Sequence, residues 1–331
     1  MVYIYKKKVG NKEYYYLRIS KSTGKKKITK DLAYLGSDPE KLRKRLDSLN
    51  KYKDEIRRAY RKINIFLESE YYLKKIKSLK LKQDSFLKEN LLHLEACKFH
   101  FQHKFKKLKS LTQKETIENL SIEFSQNTTS LEGNTITLNE ARKLFLEGKT
   151  PKNRTLREIY DLQNTKKSLI KLFNSKEELN EKFIINLHKN LLKNIDSRSD
   201  YRTEEVRIIK ANFKSSPAKY VKADMSLLLN WYKKNKNKLH PFVLAIVFHH
   251  KFEKIHPFMD GNGRTGRMLV NKILISKGYP PMIFYKKDRT EYLDSLASAD
   301  KINLTEVSKE YSKLIEFASN QAINSYWNLF L

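Results

Sequence analysis

Most of the chain's reactive chemistry sits in one run of twelve residues, His256-Pro257-Phe258-Met259-Asp260-Gly261-Asn262-Gly263-Arg264-Thr265-Gly266-Arg267. His256 is the one side chain here that can act as a neutral base near pH 7. The Gly261-Asn262-Gly263 turn lets the backbone approach a ligand closely. If a helix starts there, its first N–H groups and its dipole select an anion. Arg264 and Arg267, three apart, can clasp phosphate oxygens from one face of that first turn. A carboxylate such as Asp260 belongs in a phosphate nest only when a divalent cation bridges the two, as Mg2+ does with nucleotides. Taken singly, a His before Pro caps or packs, Gly-x-Gly turns a chain, and Asp260 with Arg264 makes a surface ion pair. Together they describe a site for phosphoryl or nucleotidyl transfer.

Two helices must hold this run. Pro241 to Lys254 contains the apolar stretch Phe242 to Phe248, too long for a typical strand and too short to cross a bilayer. That helix cannot continue through His256-Pro257, because proline disfavours the α region for the residue before it. Met268, Leu269, Ile273, Leu274 and Ile275 then keep helical spacing to Lys277, and Gly278 is a natural stop. The predicted unit is a helix, a loop and a new helix N-terminus.

The run resembles the signature of the Fic family, His-x-Phe-x-(Asp/Glu)-Gly-Asn-Gly-Arg-x-x-Arg, and every fixed position is matched. The resemblance implies transfer of AMP from ATP to a protein hydroxyl, with His256 as general base and Asp260 as Mg2+ ligand. It assigns the α- and β-phosphates to Gly261, Asn262, Gly263 and Arg264, and the γ-phosphate to Arg267. Phe258 becomes the apolar residue that seats the loop. Gly263 points to the nucleotidyl transferases, since the related Doc-type kinases carry Lys there and bind the nucleotide reversed.

Upstream, Ile117, Leu120, Ile122 and Phe124 mark a helix over 116–127 that runs into Thr128-Thr129-Ser130-Leu131-Glu132-Gly133-Asn134. A carboxylate at a helix C-terminus is unfavourable, so another group should want Glu132 there. The segment resembles the family's inhibitory pattern (Ser/Thr)-x-x-x-Glu-(Gly/Asn), with Thr128, Glu132 and Gly133 in the fixed places. It lies before the core, as in the class with an N-terminal inhibitory helix. Glu132 would then compete with a γ-phosphate for Arg267. Thr137 and Glu140 form a capping box, and Arg154 to Phe173 and Leu179 to Ile195 read as amphipathic helices. His188 on the second reads as a packing residue. Asp200-Tyr201-Arg202-Thr203 and Val206-Arg207-Ile208-Ile209 read as a β-prone hairpin. The resemblance makes Thr203, Val206, Arg207, Ile208 and Ile209 a flap that aligns the target segment by strand addition, and it places Tyr292 beside the adenine.

The remainder of the chain is unlike this core. Among 331 residues there are 68 Lys and Arg and 37 Asp and Glu, and residues 1–115 alone hold 32 of the former against 13 of the latter. Such a balance fits either solvated faces or a polyanion-binding role. Val2 to Tyr5, Tyr14 to Ile19 and Lys27 to Leu35, parted by Gly10-Asn11 and Ser22-Thr23-Gly24, predict a three-stranded meander. Its tyrosines among Lys6, Lys7, Lys8, Lys25, Lys26 and Lys27 suit nucleic acid, and equally suit a sheet with tyrosines packed inward and lysines outside. From Asp38-Pro39 to about Lys114 the spacing predicts a charged helical arm. The expected architecture is mainly α: an all-helical Fic core with a β-hairpin flap over 116–331, a basic helical arm over 38–115 and a small β-sheet over 1–37. Cys97 is the only cysteine, and no long apolar run or cleavable leader is present, so a protein of the reducing cytoplasm without membrane attachment is expected.

The leading function is therefore a protein adenylyltransferase using ATP and Mg2+, acting on a Ser, Thr or Tyr hydroxyl of a target protein or of itself and autoinhibited by Glu132. A de-AMPylating hydrolase on the same site and a nucleic-acid-binding regulator with a self-modifying core are the alternatives. A homodimer through the arm is a further expected arrangement.

Overall fold

The computed structural model describes residues 1–23, 26–206 and 215–331. Strands β1 (Val2–Val9), β2 (Lys12–Thr23) and β3 (Lys26–Gly36) form one antiparallel sheet in the order β1-β2-β3, with Gly10 at φ +59° in the first turn. The register pairs Ile4 with Leu17 and Tyr5 with Tyr16, so alternate residues share a face. Val2, Ile4, Tyr15, Leu17 and Leu35 are buried inward, while Tyr3, Tyr5, Tyr14 and Tyr16 stay half-buried and Tyr34 exposed on the other side. Only Tyr15 is therefore a packed-face tyrosine.

The inner face is covered by α1 (Leu42–Asp47), α2 (Lys53–Arg58) and α3 (Tyr60–Lys77), whose Leu42, Leu46, Ile63 and Leu67 join the sheet's apolar residues in one cluster. Asp38 starts this stretch as an N-cap, accepting from the Glu40 amide. Glu70 on α3 fixes the sheet to the helix, accepting from the Tyr15 hydroxyl at 2.8 Å and the Lys6 ammonium at 2.9 Å. The stretch expected as a single arm divides here. Tyr72 and Ile76 at the end of α3, and Leu91, Leu94, Cys97 and Phe101 of α4 (Asn90–His103), belong to the main core.

That core is built from α5 (Ser110–Leu131), α7 (Leu156–Asn174), α8 (Glu181–Leu191), α9 (Val221–Asn235), α10 (Pro241–Ile255), α11 (Asn262–Ser276), α12 (Arg289–Ala297) and α13 (Ser312–Leu329), while α6 (Leu138–Glu147) packs through Ala141 in a smaller cluster with Ile122, Ile159 and Leu162. Thr137 and Thr155 both start their helices with complete capping boxes, to Glu140 and Glu158. α10 is the central element. Val243 through Phe248 are each 0 % exposed, which is why its sequence is apolar on every side rather than along a stripe. α11 packs directly against it and ends at Gly278, φ +76°. The hairpin expected at 200–209 falls partly outside the described residues, which include neither Arg207 nor Ile208 nor Ile209; Thr203 and Val206 are described and lie outside any strand. Among the described residues no helix is long and apolar enough to cross a membrane.

Candidate active site

The loop between α10 and α11 is held by buried polar side chains. His256 ends α10 in the left-handed region, φ +53°, an uncommon conformation for a residue with a side chain. Arg202, 3 % exposed, keeps it there. Its Nε donates to the His256 carbonyl at 2.8 Å, and its other nitrogens donate to the carbonyls of Glu204, at 2.9 Å, and Ser216. The Arg202 amide also donates to the Pro257 carbonyl at 2.8 Å. One arginine thus ties Glu204 and Ser216 to the loop between α10 and α11.

Phe258 is fully buried and stacks on the His188 ring of α8, with centroids 3.7 Å apart and planes within 3°. His188 Nε2 donates to the Asp260 carbonyl at 2.9 Å, so it does more than pack. The Asn262 side chain closes the loop from the other side, accepting from the Phe258 amide at 2.9 Å and donating to its carbonyl at 2.8 Å. That leaves the Asn262 backbone, at the start of α11, rather than its side chain to face an anion. Gly261, φ +76°, has no room for a side chain, since a Cβ would lie 2.7 Å from Leu192 Cδ2.

Charged groups surround the new helix start. Arg267, 2 % exposed on α11, donates from Nε to Thr128 Oγ1 at 2.6 Å and from one terminal nitrogen to the Thr128 carbonyl at 2.8 Å and Glu132 Oε1 at 2.7 Å. Burial opposes its charge, but Glu132 foremost reverses this and holds the guanidinium above its ordinary range. Glu132 caps the end of α5, followed by Gly133 at φ +107°. Its carboxylate lies over Gly263, where a Cβ would press on it and come 2.9 Å from an Arg267 nitrogen. Asp260 Oδ1 accepts from the Gly261 amide at 2.6 Å and from Arg264 at 3.4 Å, while Oδ2 is paired with Arg157 of α7. Arg264 is paired with Asp161, one turn further along α7.

His256 is half-buried, and burial pushes its imidazole down to about 4, so it is neutral at pH 7. Behind Arg267 lies Glu253 of α10, which burial raises to about 8 against the pull of Arg267. Glu253 is then protonated at pH 7, and the carboxylate in contact with Arg267 is that of Glu132. Tyr292, expected beside a nucleotide base, sits in the core instead. It is 3 % exposed, its hydroxyl lies 2.6 Å from His249 Nε2, and its ring packs on Phe284 and Phe317. It supports the floor under Arg267 rather than presenting an open face.

The structure thus brings His256, Asp260, Gly261, Gly263, Arg264 and Arg267 together with Thr128 and Glu132. Sequence reasoning missed Arg157, Asp161 and the strut role of Arg202. The available signal was weak: Arg157 and Asp161 are four apart on an amphipathic helix, a spacing shared by many surface pairs.

Residues 178–274 match the model of the Fic/DOC family. A probable protein adenylyltransferase of Aquifex aeolicus is 32 % identical over 179 residues, 53 % of this chain and 53 % of that protein. Protein adenylyltransferase Fic of Drosophila grimshawi is 31 % identical over 183 residues, 52 % of this chain and 36 % of that protein. The chain therefore spans about half or less of the length of these curated relatives. Among solved structures, a Fic domain-containing signaling protein from Bacteroides thetaiotaomicron superposes with a TM-score of 0.63 at 25 % identity, covering 73 % of this chain and 95 % of that one. Residues 134–508 of Fic-1 from C. elegans superpose with a TM-score of 0.60 at 24 % identity over 72 % of this chain and 71 % of that one, which concerns the fold alone.

Proposed function

We propose that the chain, whose residues 178–274 match the Fic/DOC family, transfers AMP from ATP to a Ser, Thr or Tyr hydroxyl of a protein, a separate target or itself. The observation that carries this reading is the placing of a neutral His256 imidazole at one end of a helix N-terminus whose other end is the buried Arg267. Arg267 and the first amides of α11 hold the polyphosphate, with Arg264 beside them. The target hydroxyl attacks the α-phosphorus and gives its proton to the His256 imidazole; the new oxygen–phosphorus bond forms as the α–β bridging bond breaks and pyrophosphate leaves.

The donor set fits Mg2+ carried by the nucleotide. Asp260 is a half-exposed carboxylate, and among the described residues no group of three or more His, Cys, Asp or Glu could hold a metal alone, so phosphate oxygens must supply further ligands. Bound there, the ion would neutralise charge on the phosphates as pyrophosphate departs. Glu132 acts as an inhibitory group in this reading, because its carboxylate takes the Arg267 nitrogen that a γ-phosphate needs. In this reading residues 203–209 serve as the target flap; Arg202, which precedes them, donates to the His256 carbonyl.

A nucleic-acid surface on residues 1–115 is a second reading, favoured by the outward Tyr3, Tyr5, Tyr14, Tyr16 and Tyr34; salt-dependent binding of a single-stranded oligonucleotide by the full chain tests it. Residence in the cytoplasm belongs to the same proposal. The main reading is tested by mass spectrometry after incubation with Mg-ATP. It expects one added AMP on a hydroxyl side chain of the protein or of a partner, and no such adduct with His256→Ala. An equal adduct in His256→Ala would remove the base from the mechanism.

A further inference from the structure

Four charges at the mouth of the site alternate in sign: Arg157, Asp260, Arg264, Asp161. Two come from α7 and two from the loop and first turn of α11, each pair four residues apart. They differ sharply in exposure. The side chains of Arg264 and Asp161 are 3 % and 13 % exposed, whereas those of Arg157 and Asp260 are 59 % and 35 % exposed. Separating the inner pair would leave the buried Arg264 guanidinium with only the longer, half-exposed contact to Asp260 at 3.4 Å, so that pair is fixed. The outer pair is screened by solvent and opens at little cost.

The two Asp260 oxygens are also unequal. Oδ1 is committed to the Gly261 amide and to Arg264, which leaves Oδ2 to face an incoming cation. Oδ2 is the oxygen that Arg157 holds. A divalent cation and a guanidinium cannot both sit close to one carboxylate oxygen without strong mutual repulsion. We propose that Arg157 is a built-in counter-cation for Asp260 that a nucleotide-borne divalent cation must displace, so that α7 sets the metal concentration at which the site fills. This inference rests on the Mg-nucleotide reading above.

The experiment is calorimetric titration of ADP into the full chain over a series of Mg2+ concentrations, for wild type, Arg157→Ala and Arg157→Lys, with thermal melting of each. Removing an exposed ion pair predicts a Mg2+ midpoint about 2–5-fold lower in Arg157→Ala, with Arg157→Lys close to wild type and all three melting together. A midpoint that stays put overturns the inference. So does one that rises, since the guanidinium would then be holding nucleotide rather than competing with metal. If wild type binds no ADP at any Mg2+ concentration, the nucleotide reading itself falls, and this inference with it.

Discussion

Replacing Glu132 by glycine isolates the proposed inhibitory contact. In the structure Arg267 makes three hydrogen bonds to α5, two to Thr128 and one to the Glu132 carboxylate at 2.7 Å. A hydrogen bond to a charged group contributes about 1.5–3 kcal/mol. The Glu132 side chain is 44 % exposed, so solvent screening brings its share to the bottom of that range or below, roughly 1–1.5 kcal/mol. ATP must overcome that preference to reach Arg267, which predicts roughly 5–10-fold tighter binding of a non-hydrolysable Mg-ATP analogue in Glu132→Gly. AMP transfer should rise by at least as much. The same change strips a buried guanidinium of its counter-ion, so the melting temperature should fall, by roughly 2–4 °C for each kcal/mol lost. Tighter binding with lower stability is a signature that general loosening of the fold does not produce. Glu132→Gln, which keeps an acceptor but loses the charge, should lie between. An affinity within twofold of wild type in both variants would refute the competition.

His256→Ala should abolish transfer and leave nucleotide affinity intact, because other groups hold the phosphates; calorimetry beside a transfer assay separates the two. With the imidazole pushed down to about 4, the free-enzyme rate should stay flat as pH falls through 6.5 and decline only toward 4, where the base becomes protonated, as a kcat/KM profile in ATP would show. Arg202→Ala removes the donor to three part-buried carbonyls and should cost about 1–3 kcal/mol in denaturant unfolding, with loss of transfer. Glu253 has a folded pKa of about 8 against an ordinary 4.5, so it keeps its proton when folded and loses it when unfolded between those pH values, and wild-type stability drains away as pH rises through that window. Glu253→Gln removes this term, so its melting temperature relative to wild type should climb from pH 5 to pH 8.

The site was legible because its residues are consecutive. His256 to Arg267 states the base, the anion turn and the arginines in one run, and Thr128 and Glu132 meet Arg267 because a helix end fixes both. The helical identity of α10 followed from the length of its apolar run, and the meander of the N-terminal sheet from its β-prone segments and the turn residues between them. What stayed hidden was carried by contacts distant in sequence. Arg157 and Asp161 lie about a hundred residues from the groups they pair with, and their spacing on α7 looks like any solvated face. Arg202 read as part of a hairpin, although its guanidinium spans three carbonyls on two segments. Tyr292 was placed by analogy, and only packing shows that its ring is enclosed by Phe284 and Phe317. The arm over 38–115 looked continuous because charge and helical spacing run through it, whereas burial divides it at α3 between two apolar clusters.

The central claim is that AMP, and not the terminal phosphate, moves to protein. Parallel incubations of Glu132→Gly with ATP labelled at the α-phosphorus and at the γ-phosphorus, resolved by denaturing gel, decide it directly. The account predicts protein-bound label from the α-labelled nucleotide alone, lost in the Glu132→Gly, His256→Ala double variant. Label appearing from the γ-position, or none from the α-position, would contradict it.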